Sequence, residues 1–269
     1  PSMFQGTLFR PSGNPILDLQ GPSHLDAVTQ RHQLDLLAQL NQKHLDERPG
    51  GRELAARIET YELAYRMQSE APDTVDLSKE TQTTRDLYGI GKQPTDEYGR
   101  NCLIARRLVE RGVRFIQLYS GGGHLEDTWD GHESIEKNHG LHGAEVDQPI
   151  AALLTDLEQR GLLESTLVVW GGEFGRMPFS EGRDAPGRNH NPYGFSMWMA
   201  GGGVKGGMSF GETDEFGFQA MVDKTHVHDI HATILHLMGI DHEDLSYFHQ
   251  GRQETLTDVH GRVIREICA

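Results

Sequence analysis

The sequence predicts an α/β protein, a mostly parallel sheet flanked by helices, with a helical hairpin ahead of it. Three observations carry that prediction. NCLIARRLVERG repeats apolar residues at helical spacing and stops at Gly112, and the apolar run VRFIQLYS follows at once. The arrangement recurs in DQPIAALLTDLEQRG, closed by Gly161 and followed by STLVVWGG. Both runs read as buried strands, the first covered on both faces, and two successive helix-glycine-strand units suit a parallel sheet with crossover helices.

Each element can be justified in chain order. The opening PSMFQGTLFRPSGNP reads as loop, with no capping signal and no initiating strand, which suggests a piece of a longer protein. HLDAVTQRHQLDLLAQLNQKHLDE and ELAARIETYELAYRMQSE carry helical periodicity on either side of Pro49-Gly50-Gly51, so they read as a helical hairpin of scaffold character. A Pro/Asp/Thr-rich connection leads to the first helix-strand unit, and Asp147 can cap the helix of the second. FSMWMAGGG reads as a further strand, VKGGMSFGETDEFGF as a loop or short hairpin, HDIHATILHLMGI as a helix stopped by Gly239, and TDVHGRVIREI as an edge strand. The expected organisation is a helical and loop segment over 1–98 packing on an α/β core over 99–269.

Composition narrows the function. The 269 residues carry a formal charge of −15, which opposes a nucleic-acid partner or an anionic membrane surface and suits carboxylates that hold cations. The 32 glycines point to tight turns and close backbone approaches. Two cysteines, Cys102 and Cys268, are too few for a disulfide scaffold and lack metal-ligand spacing, and Cys102 falls in an apolar helical pattern that marks it as core. No stretch approaches the ~20 apolar residues of a membrane span, and the first residues carry no signal-peptide pattern.

In open α/β sheets, ligands bind beyond the carboxyl ends of the strands. That rule selects GGGHLEDTWDGHESIEKNHGLHG after VRFIQLYS, and EFGRMPFSEGRDAPGRNH after TLVVWGG, both dense in divalent-ion ligands. Asp130 and His132, with glycine between them, can turn toward one ion, and His124, Asp127, His139 and His142 are further candidates. Glu173 and Arg176 leave the second run together, and GRNHNP returns His190 to the same region. Arg176 and Arg188 suit an oxyanion, because guanidinium groups grip phosphate or sulfate through two hydrogen bonds. In the later His226-Val-His228-Asp229-Ile-His231 stretch, His228 and His231 share a helix face, Asp229 can serve as a cap, and His236 and His242 read as structural. Three histidine-carboxylate clusters at the ends of successive elements are the pattern of a metallohydrolase.

The motifs CLIARRLVERGVRF, LLTDLEQRGLLESTLVVWGGEFGRMP, GRNHNP, MAGGGVKGG, HVHDIHATILHLMGID and LTDVHGRVIREI resemble the family described as domain of unknown function 1501. That family is abundant in planctomycetes and is placed in the alkaline phosphatase and sulfatase superfamily. The resemblance covers nearly the whole chain. It implies an alkaline phosphatase-like core, an exported protein and a divalent metal (Zn, Ca, Mn or Mg), with a sulfate or phosphate ester, polysaccharide esters included, as substrate. The clusters and the resemblance together assign Asp130, His132, Glu173 and His190 to metal, with Asp127 and His132 as the alternative pairing, Arg176 and Arg188 to the anion in catalysis, and His228 or His231 to metal or acid work, His228 as ligand and His231 as catalytic group. Two departures are visible. Phe174 stands where the superfamily places a metal-binding histidine, so His190 is expected to supply the missing imidazole, and Ala232 stands where sulfatases have proline. The superfamily's first strand, with its metal aspartate and its Ser, Thr or Cys nucleophile, has no counterpart in these residues. The alternative to a hydrolase is therefore a noncatalytic exported binding or structural protein that retains the fold.

Overall fold

The computed structural model describes residues 6–10, 16, 24–47, 52–121, 128–180, 186–258 and 260–269. They form two compact units, Pro1–Ile116 and Gln117–Ala269.

The first unit is helical. Asp26 caps α1 (Ala27–Asp46) by accepting from the Thr29 N–H at 2.8 Å. The chain returns as α2 (Arg52–Val75), and the two helices are joined by Arg31, whose guanidinium grips Glu62 through two bonds of 3.0 and 2.6 Å. The expected helical hairpin is therefore present. Short α3 (Gln82–Leu87) leads to α4 (Asp96–Glu110), which buries Cys102, Leu103, Ile104 and Ala105. Gly99 lets α4 close on the preceding turn, since a Cβ there would stand 2.2 Å from the Tyr88 carbonyl oxygen. Burial pushes the Cys102 thiol up to about 12, which leaves it an inert core residue as expected.

α4 also buries two cations. Arg106 pairs with Glu80 at 2.8 Å and Glu110 at 2.7 Å, and Arg107 pairs with Glu80 and donates to the Thr74 carbonyl at 2.7 Å. Burial pushes the Glu80 carboxyl up, but the two guanidinium groups outweigh it and hold the group below its ordinary range.

The second unit overturns the predicted sheet. Its strands are short and pair only as antiparallel twos: β1 (Val168–Trp170) with β4 (Trp198–Ala200), β2 (Gly175–Arg176) with β3 (His190–Asn191), β5 (Glu212–Thr213) with β6 (Ala220–Val222), and β7 (Ser246–His249) with β8 (Arg252–Thr255). Helix makes up 44% of the structure and strand 11%, so no mostly parallel sheet flanked by helices is present. STLVVWGG does supply β1, but its neighbour is the FSMWMA segment running the other way. VRFIQLYS forms no strand, and its Val113, Phe115 and Tyr119 are 42, 65 and 73% exposed. An apolar run reports that a segment prefers burial; it encodes neither a pairing partner nor a direction.

Other elements depart less. The helix expected from Asp147 begins far earlier, as α5 (Ile135–Gln159), so Asp147 lies inside it, while Gly161 at φ +67° ends it as predicted. α6 (Val227–Leu237) ends before Gly239 at φ +76°. The TDVHGRVIREI tail forms no edge strand. It straps α6 instead, with the Ile264 N–H donating to Thr233 Oγ1 at 2.9 Å and the Arg262 N–H to Asp229 Oδ1 at 2.7 Å. Trp170 stacks on its register partner Trp198 at 6.4 Å, and Trp129 meets Trp170 edge-on at 6.1 Å, which sets the loop after Trp129 beside the β1–β4 pair.

Candidate metal centre

Two loop segments build the site. In the first, the Gly131 N–H donates to the Trp129 carbonyl and the His132 N–H to the Asp130 carbonyl, both at 2.8 Å, so the chain curls tightly and Asp130 and His132 stand close together. In the second, β2 and β3 pair Gly175 with Asn191 and Arg176 with His190. Directly opposed residues of an antiparallel pair project to one face, so Arg176 and His190 leave together. Buried Asn191 points the other way and ties the hairpin down by donating to the Phe218 carbonyl at 2.9 Å.

The two segments are laced through their backbones. The Arg188 N–H donates to the Gly131 carbonyl at 2.9 Å and the Ile135 N–H to the Pro186 carbonyl at 3.1 Å. Gly187 lies between these bonds, and a Cβ on it would fall 1.7 Å from the His132 carbonyl oxygen. Only glycine allows that approach.

The result is a triangle. His132 Nε2 lies 3.1 Å from His190 Nε2 and 3.1 Å from Asp130 Oδ1, and His190 Nε2 lies 3.0 Å from the same carboxylate oxygen. The side chains of His132, His190 and Asp130 are 42, 43 and 29% exposed, so the triangle is open to solvent. Arg176 Nη2 donates to Asp130 Oδ1 at 2.7 Å and to the Trp129 carbonyl at 3.2 Å, while Nη1 donates to the Arg188 carbonyl at 3.2 Å. The bond from His190, with Arg176 and His132 beside it, holds the Asp130 carboxyl below its ordinary range against a weaker opposing effect of burial.

Phe174, which takes the place of an expected ligand, has its ring 4.1 Å from the His190 ring and so supports the imidazole. Behind the triangle, Trp129 packs against His139 and His142 at 5.4 Å each. Burial, and then the charge of Arg176, push the His139 imidazole below its ordinary value, which favours its neutral form. His142 is buried and bonds Glu145 at 2.9 Å.

The structure therefore brings Asp130, His132 and His190 together, with Arg176 on Asp130 and the Arg188 backbone in the lacing. Glu173 is exposed and stands outside the group of three. His228 belongs to a separate cluster, its ring 4.7 Å from His226 and 6.1 Å from His260, and His231 is exposed on α6. His226 is the cap of α6, and Asp229 completes a reciprocal capping box by accepting from the His226 N–H at 2.8 Å. His242 holds Thr257 at 2.9 Å, a structural role as expected, and His236 is exposed on α6. His124 and Asp127 lie outside the described residues. Trp129, Phe174 and Gly187 carry roles that the ligand search passed over. The Trp-Asp-Gly-His order is the signal that could have found the first.

A family model described as "Protein of unknown function (DUF1501)" matches residues 1–268. No curated protein and no solved structure matches the chain.

Proposed function

Because the chain belongs to the DUF1501 family, whose description assigns no activity, we propose that it is a metal-dependent, hydrolase-like protein acting on a sulfate or phosphate ester. One observation carries the metal reading: the triangle of His132 Nε2, His190 Nε2 and Asp130 Oδ1, every edge of which is 3.0 or 3.1 Å. Hydrogen bonds alone cannot satisfy it. The carboxylate oxygen brings no proton, and each Nε2 brings at most one. If both nitrogens are protonated, both donate to Asp130 and two N–H groups face each other. If either is unprotonated, a lone pair faces a lone pair along at least one edge. A cation shared by all three atoms removes the conflict, and two imidazoles with one carboxylate form a ligand set typical of divalent transition metals.

The roles follow from position. Asp130, His132 and His190 hold the ion, Arg176 fixes Asp130, Phe174 backs His190, and Arg188, whose backbone N–H is bonded to the Gly131 carbonyl, is the proposed partner for the ester's anionic group. A divalent ion there supplies Lewis acidity toward the ester oxygens. Glu173, His228 and His231 lie outside the triangle. The choice of sulfate or phosphate esters, those of polysaccharides included, rests on placing the family that GRNHNP and its companion motifs resemble in the alkaline phosphatase and sulfatase superfamily. The expectation of export has the same support.

The test is turnover of aryl sulfate and aryl phosphate esters by purified protein supplied with divalent ions. The expected result is hydrolysis that chelation stops and that His190→Ala lowers by more than the ~10–100-fold typical of losing an outer-shell partner. Bound metal without turnover would favour the noncatalytic binding protein, and protein that takes up no metal would overturn the proposal.

A further inference from the structure

We infer that the triangle is a facial cap for a six-coordinate ion of the manganese, iron or cobalt kind, leaving three adjacent coordination positions open, and not a four-coordinate zinc site. The inference rests on the metal-binding reading above and adds to it the geometry and class of the ion.

Edge length is the first argument. Three ligands on one face of an octahedral ion are separated by about 1.4 times the metal–ligand distance, or ~3.0 Å for bonds of ~2.1 Å. Tetrahedral ligands are separated by about 1.6 times that distance, or ~3.3–3.4 Å for zinc bonds of ~2.0–2.1 Å. The observed edges are 3.0, 3.1 and 3.1 Å, and all three fit the octahedral spacing.

Ligand number and type agree. Among the described residues, Asp130, His132 and His190 are the only His, Cys, Asp or Glu side chains that converge in a group of three or more. Three ligands exclude a closed structural zinc site, which needs four, while a catalytic zinc also takes three protein ligands, so it is the edge length that separates that case from the octahedral cap. The two imidazoles disfavour calcium and magnesium, which prefer oxygen. Two histidines and one carboxylate on a single face, with the other positions free, suit an octahedral transition metal.

The surroundings keep the cap open. Arg176 holds Asp130 through Oδ1, the same oxygen that completes the triangle, so the carboxylate is fixed for contact through one atom. The ring of Phe174 covers His190 without offering a ligand atom. With 42% of the His132 side chain and 43% of the His190 side chain exposed, oxyanion oxygens and water can reach the open positions together.

Affinity order is a poor test, because zinc outcompetes manganese, iron and cobalt at most sites whatever the geometry. Coordination number is read directly from the visible spectrum of the chelator-stripped protein loaded with Co2+. The cap predicts one ion per chain with the weak absorption of a six-coordinate ion, and a changed but still weak spectrum when inorganic phosphate is added. His190→Ala, shown by circular dichroism to be folded, should lose that spectrum. An intense four-coordinate spectrum would overturn the facial cap and leave metal binding standing. Failure of the wild-type chain to take up Co2+ would overturn both.

Discussion

Gly187 shows how little separates the assembled site from a broken one. The peptide lacing sets its Cα against the His132 carbonyl, so Gly187→Ala must push the two loop segments apart. The expected cost is ~1–3 kcal/mol, as for other overpacked positions. Metal affinity should fall at least ~10-fold, because the spacing of His132 and His190 depends on that contact; titration of the folded variant with Mn2+ measures it. Phe174→Ala should act more mildly. It removes the support behind His190 and no ligand, so affinity is expected to drop while the ion-to-chain ratio stays at one. The site was partly legible at this scale. Asp130 and His132 flank Gly131, Arg176 follows Gly175, GRNHNP returns His190, and all four converge. Glu173 looked equivalent to Arg176 because it shares the loop. The chain bends at residues 173 and 174, which lays the Phe174 ring against His190 and under the Arg176 guanidinium at 5.8 Å and leaves Glu173 exposed.

At the scale of elements, α4 holds the most exposed-to-failure arrangement, two buried arginines neutralised in part by Glu80. Glu80→Ala leaves Arg107 with carbonyl oxygens in place of a carboxylate and Arg106 with Glu110, and is expected to destabilise the first unit by ~3–5 kcal/mol, measured by denaturant unfolding followed on its helices. The same pairing has a pH signature. Because the folded Glu80 carboxyl titrates below its ordinary range, its contribution is full above the unfolded value of about 4.5 and is lost as pH falls through the lower folded value. Acid should therefore weaken wild type more than Glu80→Gln, in which that position cannot titrate. Helices were the most legible elements: α1, α2, α4 and α6 follow their periodicity and their caps. Strand direction was not legible. The run giving β1 pairs antiparallel with β4, and the similar run over 113–120 pairs with nothing among the described residues. Both sequences prefer burial equally, and the partner that decides pairing lies far along the chain.

For the whole molecule, the two compact units give the proposed metal binding a defined reach. An ion at ~100 times its Kd stabilises the state that binds it by ~2.7 kcal/mol. Hydrogen exchange should show added protection around residues 128–135 and 186–191, in the second unit, and none over α1 at 27–46. The charge of −15 adds a long-range attraction for cations, so the association rate of a divalent ion should fall as ionic strength rises. No helix among the described residues is long and apolar enough to cross a membrane.

Calorimetric titration of the chelator-stripped chain with Mn2+ tests the central claim most directly. The Asp130, His132 and His190 triangle predicts one ion per chain, with His132→Ala and His190→Ala each weakening binding on the order of 100-fold while the helical signal is retained. No binding by the wild-type chain, or binding unchanged in both variants, would contradict it.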